Sequence, residues 1–343
     1  MKSSSLSLSL IALASLFHPA AASACDLCGI YTPPFDLASD QSFVWHVGVA
    51  SQFTHFGSLR QDGHEISNPL DQHLDSSISQ FLVGGSFFDQ RLDLQVNVPY
   101  IYRSYARAGH HVVQRGDEEG FGDMTLLATY ALFRTDKSAG QPSAPSAKGA
   151  KNVTPAAVEP RTSGIFNIQA GLKAPTGDSS RLEEELHEHH HDGYPSSGIH
   201  GHDLALGSGS WDGVIGAEAF FRRDNLFFAA EVQYSIRSTG DYDYRYANDL
   251  MWDFGPGVYF VRDGSRTLAL QALVSGEDKG LDTFQGEKAE DTGITFWFVG
   301  PRVTASFGRW SAEAGLDIPV SLNTTDIQAV PDYRVHAGVT FRF

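Results

Sequence analysis

Tyr333, Val335, Ala337, Val339, Phe341 and Phe343 fall on one face of an extended C-terminal segment, and Arg334, His336, Gly338, Thr340 and Arg342 on the other. About ten residues of such alternation suit a strand with one face in lipid and one in water, because bilayer tails admit only elements whose backbone groups are all paired. The same period of two recurs along the chain and predicts twelve strands. They lie near 42–56, 77–88, 91–105, 121–134, 161–174, 211–222, 225–239, 248–261, 265–276, 292–307, 309–322 and 331–343. In 92–102, Leu92, Leu94, Val96, Val98, Tyr100 and Tyr102 oppose Asp93, Gln95 and Asn97, with Arg103 next on the polar face. In 226–237, Leu226, Phe228, Ala230, Val232 and Tyr234 oppose Glu231, Gln233 and Arg237. Trp310, Ala312, Ala314, Leu316, Ile318 and Val320 oppose Glu313 and Asp317 in the same way.

The connections sort into two kinds. Asp89-Gln90, Arg223-Asp224, Arg262-Asp263-Gly264 and Gly308 make short turns, and 57–76, 106–120, 175–210, 240–247, 277–291 and 323–330 make long polar ones. Short periplasmic turns alternating with long outer loops, and an even strand count that returns both ends to one side, predict an all-β fold: a transmembrane antiparallel β-barrel of about twelve strands. A soluble sandwich also alternates, but it does not explain this asymmetry of turns. The stretch 135–160, rich in Ala, Pro, Ser and Lys, falls on the periplasmic side and reads as a flexible linker. The alternative is that it hides a further strand.

The N-terminus adds compartment. Lys2, an apolar run from Leu6 to Phe17 and Ala20-Ala21-Ala22-Ser23-Ala24 before Cys25 read as a secretory signal peptide, 1–24. No segment approaches the roughly 18 to 20 continuous apolar residues of a membrane-spanning helix. Residues 25–41 then form a periplasmic N-terminal segment and 42–343 the barrel. A lipidated Cys25 is an alternative, although Ala22 stands where a lipobox has Leu. The terminal Phe343 resembles the sorting signal of bacterial outer-membrane barrels, which implies the cell outer membrane as location, its lipid as solvent and the barrel-assembly machinery as a partner. The mean hydropathy of −0.21 fits this reading, since alternation hides membrane character from an average.

The net charge is −16, and loss of Lys2 with the signal leaves −17. Such a chain lacks the clustered Lys and Arg that neutralise phosphates, so nucleic acid is excluded as a partner.

Three segments are familiar as a set: Gly122-Asp123-Met124-Thr125-Leu126, Lys173-Ala174-Pro175-Thr176-Gly177-Asp178 and Gly207-Ser208-Gly209-Ser210-Trp211-Asp212. They resemble, in this order, blocks of the outer-membrane transporter family known as meta-pathway phenol-degradation proteins. The resemblance covers about 40–343 and implies a barrel that passes or binds small molecules. Each block also has a plain reading as a strand-end turn.

Candidate chemistry concentrates in the loop 175–210, which holds His187, Glu188, His189, His190, His191, Asp192, His200 and His202. Neutral imidazole beside carboxylates suits zinc, copper(II) or nickel. No H-E-x-x-H helix register is present, so the loop points to capture rather than catalysis, unless it is a solvated tract that binds metal only adventitiously. Cys25 and Cys28, the only cysteines, form a C-x-x-C pair that a periplasm would oxidise or a soft metal would bridge. The lumen-facing set is Asp93, Arg103, Asp123, Lys173, Asp212, Glu218, Glu231, Arg237, Asp253, Arg302, Glu313, Asp317, Arg334, His336 and Arg342, mixed in sign and able to pair across the interior. No nucleophile with a base and an orienter stands out, so an enzyme is not expected, nor a required cofactor. The expected function is a monomeric outer-membrane channel for small solutes, with a divalent metal as favoured cargo. The alternatives are uptake of small aromatic or hydrophobic compounds, and a metal-sequestering or sensing surface protein that the barrel merely anchors.

Overall fold

A computed structural model describes residues 30–32, 44–109, 112–135, 162–186, 196–263 and 266–343. Its strands are β1 (Trp45–Gln61), β2 (His64–Ile66), β3 (His73–Phe87), β4 (Leu92–Ala108), β5 (Val113–Phe121), β6 (Met124–Arg134), β7 (Thr162–Ala174), β8 (Asp212–Arg223), β9 (Leu226–Ile236), β10 (Tyr244–Arg245), β11 (Asp249–Arg262), β12 (Arg266–Lys279), β13 (Thr283–Phe284), β14 (Glu287–Lys288), β15 (Ile294–Phe307), β16 (Trp310–Thr324) and β17 (Ile327–Arg342). Twelve of them, in the order β17-β16-β15-β12-β11-β9-β8-β7-β6-β4-β3-β1, form one antiparallel sheet that closes by pairing of β17 with β1. In that seam His46 lies opposite Arg342 and Gln61 opposite Ile327. Closure leaves no sheet edge to face hydrocarbon.

The faces follow the sequence pattern. Leu94, Val232, Leu316, Ile318, Val320, Val335 and Val339 are exposed on the outside, while Gln95, Asn97, Arg103, Gln233, Asp317 and Thr340 are buried within. Trp45, Phe133, Phe221, Phe260, Phe307, Trp310 and Phe343 are exposed toward the end that carries the C-terminus and the short turns. Trp211, Trp297 and Tyr333 are exposed toward the other end, so aromatic side chains flank the apolar band where an interface belt belongs. The short turns are tight enough to need left-handed backbone, at Phe88, Asp89, Gln90, Asp224 and Gly308.

Several connections differ from expectation. The stretch 323–330 is not a long loop: β16 and β17 extend through it and only Thr325 and Asp326 separate them, with Asp326 at φ 47°. Polar residues there belong to strands that rise beyond the membrane, where both faces meet water. Within 106–120, the chain folds back as β5 on the outer half of β4, pairing Tyr100 with Phe121 and Ala108 with Val113. The next strand therefore begins at Met124 rather than 121, because Gly122 and Asp123 step the chain down onto the inner half of β4. Outside the barrel, β10, β13 and β14 form a small separate sheet over the outer rim. The stretch 136–161 lies outside the described residues.

Candidate functional site: an outer cap above an occupied lumen

The three sequence blocks meet at one point. Asp123 sits at the break between β5 and β6, Lys173 near the end of β7 and Asp212 at the start of β8. All three are buried. The Lys173 Nζ lies 3.3 Å from Asp123 and 3.0 Å from Asp212. Asp212 and Asp249 in turn hold Arg237, each at 2.9 Å. The remaining lone pairs of Asp123 accept the backbone N–H groups of Thr176, Gly177 and Ser208 at 2.9 to 3.1 Å, and the Ser208 hydroxyl at 2.6 Å. A Cβ on Gly207 would stand 2.5 Å from the Gly177 carbonyl carbon, so glycine lets the two ends of the loop 175–210 touch. Gly209 supplies φ 64° beside Asp241. The blocks are more than separate strand-end turns: together they clamp both stems of one loop.

From this clamp the loop lies across the outer mouth. Its 3₁₀ turn, Ser180–Leu186, buries Leu182 against Ala205, Tyr244 and Tyr246. Ile199 and Leu204 pack with Phe56, Leu74 and Tyr105, on the opposite wall. Leu206 descends onto Ile78 and Ile101. Charged groups bind the rim: Arg181 pairs with Glu118 and Glu184, and Arg107 with Glu184 at 2.7 Å. Arg103 donates to the carbonyls of Asp203 and Ala205. Burial pushes the Glu184 carboxyl up, but the hydrogen bonds and charges of Arg107 and then Arg181 outweigh it and hold it below the usual range.

Two of the predicted loop histidines are thereby buried rather than solvated, His200 at 9% and His202 at 5% exposure. The reason is the pair of apolar anchors around them, Ile199 and Leu204, both fully enclosed. His200, His202 and Asp203 offer ligand atoms that all lie within 4.8 Å of one another. The His202 Nδ1 lies 2.9 Å from Glu185 and its Nε2 3.5 Å from Asp203, while the His200 Nδ1 lies 3.1 Å from Asp291. Burial lowers the pKa of His202, yet the charges of Asp203, Glu185 and Asp291 and the Glu185 hydrogen bond raise it well above the ordinary value. His187, Glu188, His189, His190, His191, Asp192, Cys25 and Cys28 lie outside the described residues.

The charged lumen set falls in distinct layers. Glu218 accepts from Asn167 at 2.9 Å and Gln169 at 2.5 Å, and Glu231 from Gln233 at 2.6 Å. Arg302 binds Asp253 at 2.9 Å and approaches Glu313 at 3.8 Å. His336 lies 3.6 Å from Asp317, and the Arg334 guanidinium 4.6 Å from the centroid of the Phe298 ring. Asp93 accepts from Ser86 and Arg342 donates to Ser311, both nearer the inner rim. The set is not one constellation. Asp123, Arg237 and Arg103 instead serve the clamp and cap.

Two features escape the alternation pattern. Ile165, Phe220, Phe227, Tyr259 and Ala269 form an apolar layer inside the lumen near its inner end. They occupy lumen-facing positions, and a count of charges cannot reveal them. The second feature is Ile30–Thr32, expected in a periplasmic segment but found within the barrel. The Tyr31 N–H donates to Gln80 at 2.9 Å, and the Thr32 hydroxyl to Glu231 at 2.8 Å. A lone tripeptide carries no periodicity, so only the amide-rich lumen (Gln52, Gln80, Gln95, Asn97, Gln169, Gln233) could have hinted at an occupant. Around it remain a cavity of about 190 Å³, lined among others by Gln52, Gln80, Glu231, Asp253 and Arg302, and one of about 160 Å³ lined by Tyr31, Phe220, Phe227 and Tyr259.

No protein-family model matches the chain, and no curated protein does. Among solved structures, an outer membrane channel from Pseudomonas putida F1 superposes with TM-score 0.60 at 16% identity, over 91% of this chain and 100% of that one. The β domain of the Bordetella autotransporter BrkA gives TM-score 0.43 at 10% identity, over 88% and 100%. A Pseudomonas aeruginosa FadL homologue gives 0.33 at 8%, over 90% and 92%. At these identities the likeness to the Pseudomonas putida channel concerns the fold. A closed twelve-strand barrel with an apolar outer band and aromatic flanks is a protein of the cell outer membrane.

Proposed function

We propose that this chain is an outer-membrane channel for small solutes, and that its cargo is a divalent metal ion (zinc, copper or nickel) collected at the outer mouth. The observation that supports the cargo is the meeting of His200, His202 and Asp203 donors within 4.8 Å on the cap. An ionised Glu185 can only accept, so the His202 Nδ1 is the donor to it, and a metal that displaces the second ring proton would take Nε2 on the side of Asp203. A carboxylate behind a ligating imidazole is the usual orienting partner of a metal ligand. Below the cap, Asp253, Glu277, Glu231 and Asp317 line the larger cavity and outnumber Arg302 and Arg334, which favours a cation. In this reading, the part of the His/Glu-rich tract outside the described residues gathers metal, and the buried pair receives it. No group acts as a catalyst and no resident cofactor is needed.

Purified protein in liposomes enclosing a zinc indicator tests the reading. The expected result is zinc entry that falls with His200→Ala, His202→Ala or deletion of 183–202. Unchanged entry would sink the role of the loop, and zinc binding without conductance would favour an anchored surface protein that sequesters or senses metal. The resemblance to the phenol-degradation family supports a second reading, uptake of small aromatic or hydrophobic compounds. The apolar layer of Phe220, Phe227 and Tyr259 beside the smaller cavity favours it. Under that reading Phe227→Ser slows aromatic uptake and leaves zinc entry alone.

A further inference from the structure

The lumen treats Ile30–Thr32 as a ligand. All four backbone polar groups of Ile30 and Tyr31 find side-chain partners on the barrel wall. Gln233 accepts from the Ile30 N–H at 3.3 Å and donates to the Ile30 carbonyl at 3.0 Å. Gln80 accepts from the Tyr31 N–H at 2.9 Å, and Gln95 and Asn97 donate to the Tyr31 carbonyl at 3.0 and 3.3 Å. A side-chain amide that both gives to and takes from a peptide unit reproduces strand pairing without an adjacent strand.

The side chains are matched as well. The Thr32 hydroxyl reaches Glu231. The Tyr31 phenol bonds Glu313 and occupies space left by Gly338, whose Cβ would stand 2.5 Å from the phenol oxygen. Gln80, Gln95, Asn97 and Gln233 come from three separate strands, β3, β4 and β9, so the arrangement is a property of the closed barrel.

We propose that this is a peptide-binding site of the lumen, which the chain fills with its own segment and which takes in exchange a short extended peptide with a tyrosine at its second position. The site depends on no metal and is independent of the cargo argued above. A tethered occupant competes at an effective concentration on the order of millimolar, so a free peptide binds weakly until the tethered one is impaired. Proline at position 31 removes the N–H that Gln80 accepts and fixes φ, and so weakens the internal occupant without shortening the chain.

The test uses full-length mature protein in detergent with a metal chelator, and measures binding of fluorescent acetyl-Ile-Tyr-Thr-amide by anisotropy. Expected is binding roughly tenfold tighter to Tyr31→Pro than to the native chain, as release from a tethered competitor predicts. In the Tyr31→Pro background, adding Gln233→Leu should reverse the gain. A tripeptide N-methylated at tyrosine, which cannot donate to Gln80, should bind at least tenfold worse to the same protein, a control that needs no second variant to fold. Equal binding of the methylated and unmethylated peptides, or no gain with Tyr31→Pro, would overturn the proposal. Because metal is chelated throughout, a negative result here leaves the zinc measurement untouched, and the converse holds.

Discussion

The cap over the outer mouth and the tripeptide in the lumen both occupy the path through the barrel, yet they are held by different forces. The cap is tied by buried ion pairs around Lys173 and Arg237 and by fully enclosed apolar anchors, Leu182, Ile199 and Leu204. The tripeptide backbone is held by neutral amides, and its two hydroxyls reach the carboxyls of Glu231 and Glu313. Removing one partner of a buried charge strands the other, which makes such an assembly all-or-none. Neutral hydrogen bonds each contribute on the order of 1 kcal/mol net, and water or another amide replaces them readily. The difference assigns permanence to the cap and exchange to the lumen.

The largest effect expected is at the clamp. Asp123→Ala leaves three backbone N–H groups and one Lys173 contact without their acceptor, although Lys173 keeps Asp212. The cost should be about 3 kcal/mol, the lower end for breaking a buried pair. It should appear as a lowered urea midpoint and as protease cleavage within 175–210, and an uncut loop would show that the clamp is not what holds the cap. Next comes the apolar anchor: Ile199→Ala should cost about 2 to 4 kcal/mol of cap closure. It should expose the same loop to protease while leaving the barrel's strand signal in circular dichroism unchanged.

Gly338→Ala tests the other side of the comparison. The added methyl meets the Tyr31 phenol oxygen, so the tripeptide should be displaced and conductance across a planar bilayer should rise. Protease resistance of the cap should not change. If both moved together, the two closures would be one cooperative unit and the contrast between them would fail.

How much of this was legible follows from what each part needs. The lipid and lumen faces could be read because a one-residue slip would turn every charge of Glu313 and Asp317 into the bilayer, so alternation is enforced residue by residue. Beyond the membrane that constraint lapses, and the outer ends of β16 and β17 and all of β5 but Phe121 read as loops. The clamp was visible as three blocks but not as one object. Its contacts join residues 123, 173 and 212, and no local periodicity links positions that far apart. His200 and His202 stood in a tract that looked solvated. Their burial was signalled only by Ile199 and by Leu204-Ala205-Leu206, an apolar run out of place in a polar loop. Ile30–Thr32 has no pattern of its own, since an extended tripeptide satisfied by side chains carries no periodicity, and only the amides of the lumen wall hint at an occupant.

The smallest expected effect concerns acid. Glu184 on the cap faces Arg107 and Arg181, and Arg181 also faces Glu118. Its folded pKa lies below the ordinary value of 4.5, so its contribution to closure is present above the unfolded pKa and is lost as the pH falls through the folded one. The side chain is partly solvated, so screening limits this contribution to at most about 1 kcal/mol. Protease accessibility of the loop 175–210 should therefore increase below about pH 4, where carboxylates protonate. Glu184→Gln should make part of that accessibility independent of pH. The lumen tripeptide, bound through neutral amides at its backbone, should stay in place through the same window in native protein if cap and lumen are separate. Loss of both together in acid would mean that the charged cap sets the stability of the neutral site beneath it.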